Sequence, residues 1–171
     1  MEILRTIHGS RLYGTYHDQS DFDWYSVRLE GRRARQSIVG DQDNVVLNYE
    51  EFLKQVFRGV PQACEALWSP EAEIHPKYLP YLRSIRLWGG EPADRHERTV
   101  RNFCYGDFKR RRHAVRMGWN LMNLRQQGWY YPRMNADQVK IAEHLANHWH
   151  GDELAAILEV DKPSDAGASL I

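Results

Sequence analysis

Two aspartates, one residue apart, follow a Gly-Ser pair near the start of the chain. The pair is Gly9-Ser10, and the aspartates stand in the motif Ser20-Asp21-Phe22-Asp23. Side chains two residues apart on a strand point to the same face, so Asp21 and Asp23 are predicted to lie side by side. Two carboxylates held so close repel each other unless a cation lies between them. The spacing therefore predicts a site for Mg²⁺ or Mn²⁺, hard cations that prefer oxygen ligands.

The Gly-Ser pair suits a phosphate bound to the same cation. A turn at Gly9 can offer backbone N–H groups, and the Ser10 hydroxyl adds a further donor. The phosphates of a nucleotide would then complete the metal coordination. A polar hairpin with acidic turn residues is the alternative interpretation of this stretch.

Short strands and helices must position these residues. Apolar patterning predicts strands at 3–8, 22–29, 36–39 and 44–48, with a turn or helical start at 10–15. An amphipathic stripe predicts a helix at 49–57, which Gly59 ends. Pro61 then opens a second helix that runs to residue 68.

The second half of the chain is predicted to be helical. After one mixed helix between 75 and 88, helices are expected at 94–105, 107–127, 135–149 and 151–159. Gly89-Gly90-Glu91-Pro92 is the predicted boundary between the two halves. The expected fold class is α+β, with a small mixed β-sheet and flanking helices in residues 1–90. A helical annex in 91–160 and a disordered tail in 161–171 are expected to follow.

The motifs at the start of the chain resemble the polymerase-β-like nucleotidyltransferase superfamily. The stretch Gly9-Ser10-Arg11-Leu12-Tyr13-Gly14, followed by Ser20-Asp21-Phe22-Asp23, matches that family's Gly-Ser-x-x-x-Gly and Ser-Asp-x-Asp motifs. The closer resemblance is to small bacterial and phage proteins known as predicted nucleotidyltransferases, including those of the RNA-repair pathway. The resemblance implies a nucleotidyltransferase core that moves an NMP from an NTP to an acceptor hydroxyl, on an RNA end or a protein.

The resemblance also implies roles for single residues. Asp21 and Asp23 would bind Mg²⁺ or Mn²⁺, and a third catalytic carboxylate would come from a neighbouring strand. Counting back from Pro61 places the third carboxylate on Asp43, with Asp41 as the alternative, although either could be an ordinary turn aspartate. Contacts to the nucleotide phosphates would come from Gly9, Ser10, Arg11, Gly14 and Ser20.

A later segment resembles the same family. There a helix ends in Gly-Asn-Pro, where this chain has Gly59-Val60-Pro61, so the contact expected from the asparagine is missing. Glu65, in the next helix, has two interpretations. It is either a functional carboxylate near the site or a residue on a helix face that pairs with an arginine.

The run from Lys109 to Arg116 is the strongest local concentration of charge. Its basic residues encircle a helix, so they cannot all share one solvent-facing stripe. One interpretation is a clamp for nucleotide or RNA phosphates, and the other is a solvated face paired with acidic residues. The family carries a Lys-His-Ala motif that Arg112-His113-Ala114 resembles. The resemblance thus implies nucleotide contacts from Lys109, Arg112 and His113.

Composition bears on several other classes of protein. The 171 residues have a formal net charge of +0, so no overall charge draws the chain to nucleic acid or a membrane. No stretch approaches the roughly 20 apolar residues of a membrane span. Two cysteines provide no disulfide framework, and no signal-peptide pattern is present, so a cytoplasmic location is expected. His144, His148 and His150 lack a completing ligand for zinc, so packing is the expected role.

Two other functions stay open at the level of sequence. One is a non-catalytic binding module with the same fold, such as an antitoxin, which a missing third carboxylate would favour. The other is an RNA-binding repair factor, which an unbroken basic surface from Arg32 to Arg116 would favour. The basic segment Gly31–Gln36 is expected to be a loop, either solvated or in contact with phosphate.

Overall fold

The computed structural model describes residues 1–31, 34–39 and 42–160, of which 34–39 and 42 are described by their backbone alone. Several sequence-based expectations fall outside the described residues: Arg32, Asp41 and the tail 161–171. Within the described part, strands lead into helices in an α+β fold, which confirms the predicted fold class.

Five strands form one mixed sheet. They are β1 (Glu2–His8), β2 (Asp23–Arg28), β3 (Ala34–Val39), β4 (Gln42–Asn48) and β5 (Glu73–Ile74), in the spatial order β3-β4-β2-β1-β5. Strands β2 and β4 run parallel, and the other neighbours are antiparallel. The four predicted strands are confirmed, but β2 begins at Asp23, where its pairing with β1 starts. The prediction that Asp21 and Asp23 lie side by side on one strand is therefore wrong, because Asp21 belongs to the loop that precedes β2. The expectation of a loop through Gln36 is wrong, because Ala34–Gln36 pair with β4 as part of β3.

The register of the sheet brings Asp23 and Asp43 together. Trp24 pairs with Asn44 in the parallel β2–β4 ladder. Asp23 and Asp43 each precede one of these residues, so they lie side by side on the two strands. Side chains alternate along a strand, so both aspartates share the face of Tyr25, which is buried under the helices. Asp43 is therefore a strand residue rather than a turn residue.

Eight helices follow or interrupt the strands in the described part of the chain. They are α1 (Gly9–Tyr13), α2 (Tyr49–Phe57), α3 (Pro61–Trp68), α4 (Leu79–Ser84), α5 (Gly90–Cys104), α6 (Phe108–Gln127), α7 (Ala136–His148) and α8 (Gly151–Ile157). The predicted helices are confirmed, with two differences in extent. Helix α4 is shorter than expected, and α5 starts at Gly90 because the first turn of a helix tolerates Pro92.

Two buried apolar clusters fill the interior. The first joins the sheet to α2 and α3, and it also includes Leu124 of α6 and Tyr130. The second lies among α5 to α8 and includes the buried side chains of Val100 and Met117. Helix α6 thus contributes to both clusters and packs the annex helices against the sheet layer. No helix among the described residues is long and apolar enough to cross a membrane.

Gly59 lies at a close contact between the α2–α3 turn and α5. Its φ is +67°, and a Cβ at this position would come within 2.3 Å of the Cα of Pro92. We expect Gly59→Ala to lower the free energy of unfolding by about 2–4 kcal/mol, because backbone strain and overpacking add. Denaturant titration measures this. Gly89→Ala is a control for backbone strain alone, since Gly89 also has a positive φ, +74°, but no atom lies within 4 Å of its would-be Cβ. A Gly59→Ala protein as stable as the wild type would contradict the contact.

Candidate functional site

A cavity of about 450 Å³ opens between α1, the loop that precedes β2, and the first turns of α6. It brings together motifs that lie far apart in the sequence. The lining residues are Gly9, Ser10, Tyr13, Thr15, His17, Gln19, Ser20, Asp21, Asp23, Lys109, Arg112 and His113. Most of the residues predicted from sequence therefore meet in one cavity. Among the predicted residues that the structure describes, Arg11, Gly14 and Asp43 lie outside this lining.

Two backbone groups fix the carboxylate of Asp23. Its Oδ1 accepts a hydrogen bond from the backbone N–H of Asp43 at 2.9 Å. Its Oδ2 packs against Gly9, where a Cβ would come within 2.4 Å, and Gly9 has φ +68°. Glycine at this position therefore both permits the turn and makes room for the Asp23 carboxylate.

Asp43 contributes its backbone to the site. It stands beside Asp23 on the neighbouring strand, and its N–H orients the Asp23 carboxylate. Its assignment as a metal ligand or base stays a prediction, and the alternative, Asp41, lies outside the described residues.

Arg11 supports the loop that carries Asp21. Its Nε donates to the carbonyl oxygens of Ser20 and Asp21, at 3.0 and 3.1 Å, and its guanidinium lies 3.6 Å from the centre of the Phe22 ring. Gly14 ends α1 with φ +78°, and a Cβ there would approach a carbonyl oxygen of the annex within 2.8 Å. Both residues shape the walls around the cavity, and their phosphate contacts stay predictions.

The cations of the basic run face different surroundings. Lys109 is exposed and Arg112 is half-buried, and both line the cavity. Arg112 also lies 3.3 Å from the carboxylate of Glu143 on α7. Arg116, two turns after Lys109, is buried in the interior. The run is therefore neither one solvated stripe nor one phosphate clamp.

A buried ion pair holds the basic helix in place. The Arg116 Nη1 donates to Glu65 Oε1 at 2.7 Å, and neither side chain is more than 4% exposed. The Tyr13 hydroxyl donates to Glu65 Oε2 at 2.7 Å, and the Nε2 of His8 lies 3.6 Å from the same oxygen. The Arg116 guanidinium also stacks 3.6 Å from the centre of the Tyr13 ring. Of the two interpretations of Glu65, the structure therefore shows the pair with an arginine.

Burial and these contacts decide the protonation states around the cavity. Burial raises the pKa of Glu65, but the charge of Arg116, the nearby His8 and the hydrogen bond from Tyr13 outweigh burial, and the pKa lies well below its usual range. Burial and the Glu65 charge raise the pKa of Tyr13 well above its usual value. Burial, assisted by Arg116, lowers the pKa of His113 to about 4. At neutral pH His113 is therefore uncharged, and the positive charge of the cavity comes from Lys109 and Arg112.

Four lining residues have no role in the sequence-based prediction: Tyr13, Thr15, His17 and Gln19. Tyr13 could have been predicted as a lining residue, because it lies inside the Gly9–Gly14 motif. The other three lie in the loop between α1 and β2, where neither periodicity nor spacing marks a side chain as functional.

Clusters of metal-binding type are absent from the described residues. No group of three or more His, Cys, Asp or Glu side chains in 1–31, 34–39 and 42–160 is arranged to hold a metal ion. The rings of His144 and His148 pack against each other with centres 4.2 Å apart. A cation at Asp21 and Asp23 would therefore need further oxygens from a bound ligand or water.

Comparison with known proteins adds no assignment, because no family model matches the chain and no curated protein matches its sequence. The site must be interpreted from its own geometry.

The buried network predicts a large stability difference between two glutamates. Glu65→Gln should lower the free energy of unfolding by about 3–5 kcal/mol, because Arg116 keeps its buried charge without a counter-charge. Tyr13→Phe should cost about 1–2 kcal/mol, because it removes one hydrogen bond and keeps the ring under Arg116. The control is Glu71→Gln, which breaks a partly exposed pair with Arg133 and should cost less than about 1 kcal/mol. Denaturant unfolding measures both losses. If Glu65→Gln lowers the free energy of unfolding no more than Glu71→Gln does, the buried network does not contribute to stability as predicted.

The same burial predicts a loss of stability below neutral pH. The unfolded chain binds a proton on His113 near its ordinary pKa of 6.5, whereas the folded chain binds it only near 4. Burial also lowers the pKa of His96. Protons therefore favour the unfolded state as the pH falls through this window, and His113 alone should cost about 1–2 kcal/mol between pH 7 and pH 5. Denaturant titrations at several pH values give the free energy of unfolding as a function of pH. Between pH 7 and pH 5 this free energy should fall less in His113→Gln than in the wild type. An identical fall in both proteins would contradict this assignment.

Proposed function

We propose that the protein transfers a nucleoside monophosphate from an NTP to an acceptor hydroxyl. The observation that carries the proposal is one cavity lined by Asp21 and Asp23 together with Lys109 and Arg112. A triphosphate and its metal need both kinds of group, because cations bind phosphate oxygens and carboxylates bind the metal. The cavity volume, about 450 Å³, lies within the range of small-molecule sites.

The donor set at Asp21 and Asp23 fits Mg²⁺ or Mn²⁺. Carboxylate oxygens are hard ligands, and Mg²⁺ commonly binds through one or two carboxylates plus substrate phosphates. When bound, such a cation would neutralise charge on the triphosphate. Because only two carboxylates of the described lining are available, we expect its affinity to be weak in the absence of nucleotide.

The chain's own residues would position the reacting groups. Lys109 and Arg112 would bind the β- and γ-phosphates, and the Ser10 hydroxyl would donate to a phosphate oxygen. The acceptor oxygen then forms a bond to the α-phosphorus while the bond to the bridging oxygen breaks, so that pyrophosphate leaves. The proton of the acceptor passes to a carboxylate, for which Asp43 is the candidate. Positioning and charge neutralisation would supply most of the rate enhancement.

A non-catalytic binding module is the second candidate function. One observation favours it: Asp43 contacts Asp23 through its backbone N–H and lies outside the cavity lining. If the carboxylate of Asp43 has only a structural role, the cavity would bind a nucleotide without turnover. The two candidates therefore differ in whether pyrophosphate is released.

Transfer can be tested with each α-labelled NTP, Mg²⁺ or Mn²⁺, and RNA or protein acceptors. We expect labelled acceptor and free pyrophosphate. Asp21→Asn and Asp23→Asn should each reduce transfer by about a hundredfold or more, because the charge at the metal site falls while the side-chain shape is kept. Asp43→Ala should lower kcat and kcat/KM together while an unreactive triphosphate analogue still binds.

The matched control is Asp18→Asn, which removes an exposed carboxylate that does not line the cavity. Its activity should equal that of the wild type. Full activity in Asp21→Asn and Asp23→Asn would refute the site. Binding of the analogue without transfer to any acceptor would favour the binding module.

A further inference from the structure

One face of the sheet is turned away from the helices. Helices α2 and α3 pack on the other face, where the rings of Phe52 and Tyr25 lie 6.2 Å apart and Thr6 donates to Ser69. Trp24 alternates with Tyr25 along β2, so it points to the opposite face. On that face Arg28 is exposed and Trp24 is half-buried.

An arginine stacks on the aromatic ring at the centre of this face. The guanidinium of Arg5, on β1, lies 4.1 Å from the centre of the Trp24 ring. Arg5 pairs in register with Ser26, and Ile7 pairs with Trp24, so Arg5 shares the face of Trp24. Arg5 is exposed, so the stack is accessible to a ligand.

A second stack stands immediately before β2. The Phe22 ring is 43% exposed, and the guanidinium of Arg11 lies 3.6 Å from its centre. The Tyr16 side chain is 49% exposed, and the centre of its ring lies 5.3 Å from the same guanidinium. Two residues of chain span at most about 7 Å, so Phe22 and Trp24 are close neighbours. The two stacks are thus built on residues that are close in the backbone at the start of β2.

We propose that this surface, formed by Arg5, Arg11, Tyr16, Phe22, Trp24 and Arg28, binds single-stranded nucleic acid. Unpaired bases stack on aromatic rings and on arginine guanidinium planes, and cations beside the rings bind the backbone phosphates. A duplex does not offer unstacked base faces in this way.

The net charge of the surface is small, because acids lie beside two of its three arginines. Glu73 pairs in register with Arg5, and Glu2 pairs with Arg28. Arg11 is the third cation. Since two carboxylates offset much of the positive charge, base stacking should contribute more to affinity than phosphate contacts do.

Arg11 connects the surface to the loop that borders the cavity. Arg11 donates to the carbonyl oxygens of Ser20 and Asp21, two residues that line the cavity. A base stacked on Phe22 would therefore lie one residue from Asp21 and Asp23. In the proposed transfer reaction, a bound strand would present its terminal hydroxyl at the cavity, but binding itself does not depend on transfer.

Fluorescence anisotropy with labelled oligonucleotides, in EDTA and without NTP, tests the inference. We expect single-stranded RNA or DNA to bind, and a duplex or an abasic strand of equal length to bind much more weakly. Phe22→Ala should weaken binding by about fivefold to a hundredfold, the effect of losing one base-stacking ring. Arg5→Gln should weaken it in the same direction, and because Arg5 is exposed this variant should fold normally.

Two controls reproduce the same chemistry elsewhere on the surface. Arg86→Gln removes an exposed arginine that lies 5.4 Å from the Trp129 ring, and Tyr131→Ala removes an aromatic side chain that is 53% exposed. Both variants should bind as the wild type does. Circular dichroism confirms that each variant is folded.

Several results would overturn the inference. Equal binding of the abasic strand would show that phosphates alone are recognised, and equal binding of the duplex would exclude base stacking. Unchanged affinity in folded Phe22→Ala and Arg5→Gln would place the strand elsewhere. Binding of a triphosphate analogue, measured separately, distinguishes this surface from the cavity. If the analogue binds and no oligonucleotide does, the nucleic-acid surface is refuted and the proposed function is unaffected. If an oligonucleotide binds and the analogue does not, the triphosphate site is refuted and the nucleic-acid surface is unaffected.

Discussion

The carboxylate of Glu65 is the contact on which the arrangement of the site depends. One oxygen accepts from Arg116 on α6 and the other from Tyr13 on α1, while Glu65 itself lies on α3. A buried charge without a partner is strongly destabilising, so these three helices cannot separate or slide without a large free-energy cost. Replacing such a pair by apolar residues is often neutral for stability. Its contribution here is positional, because it sets the distance and orientation of α1 relative to α6.

That position explains which cations of the basic run reach the cavity. Arg112 and His113 precede the buried Arg116 by four and three residues, and Lys109 precedes it by seven. Residues at these spacings lie along one face of a helix. Once Arg116 points at Glu65, the same helix face carries Lys109, Arg112 and His113 toward the Gly-Ser turn. Burial, together with the charge of Arg116, also lowers the pKa of His113 and keeps it uncharged at neutral pH, so Lys109 and Arg112 are the two cations of the basic run that reach the cavity.

The sheet separates two chemistries by the alternation of its side chains. On the helix-covered face, Asp23 is oriented by the N–H of Asp43 and lies against Gly9 at the edge of the cavity. On the other face, Trp24 lies beneath Arg5. Consecutive residues of β2 thus belong to two different surfaces: Asp23 lies at the cavity proposed to bind a triphosphate, and Trp24 lies on the surface proposed to bind bases. Arg11 links them, because it binds the loop carbonyls with its Nε and stacks on Phe22.

Local patterns determined much of this protein. Helices α2 and α3 follow from the period of the apolar residues together with Gly59 and Pro61. The Gly9-Ser10 and Asp21-x-Asp23 motifs identified four residues that line the cavity. These signals can be found in the sequence because each acts over a few residues. The partner of Glu65 was decided by the tertiary structure, since Arg116 lies 51 residues away and only packing brings it near. The strand state of Ala34–Gln36 and Asp43 was decided in the same way, because their order comes from pairing between β3, β4 and β2. Local patterns cannot report such pairing, because the free energy of burial and of ladder formation depends on which distant segments come into contact.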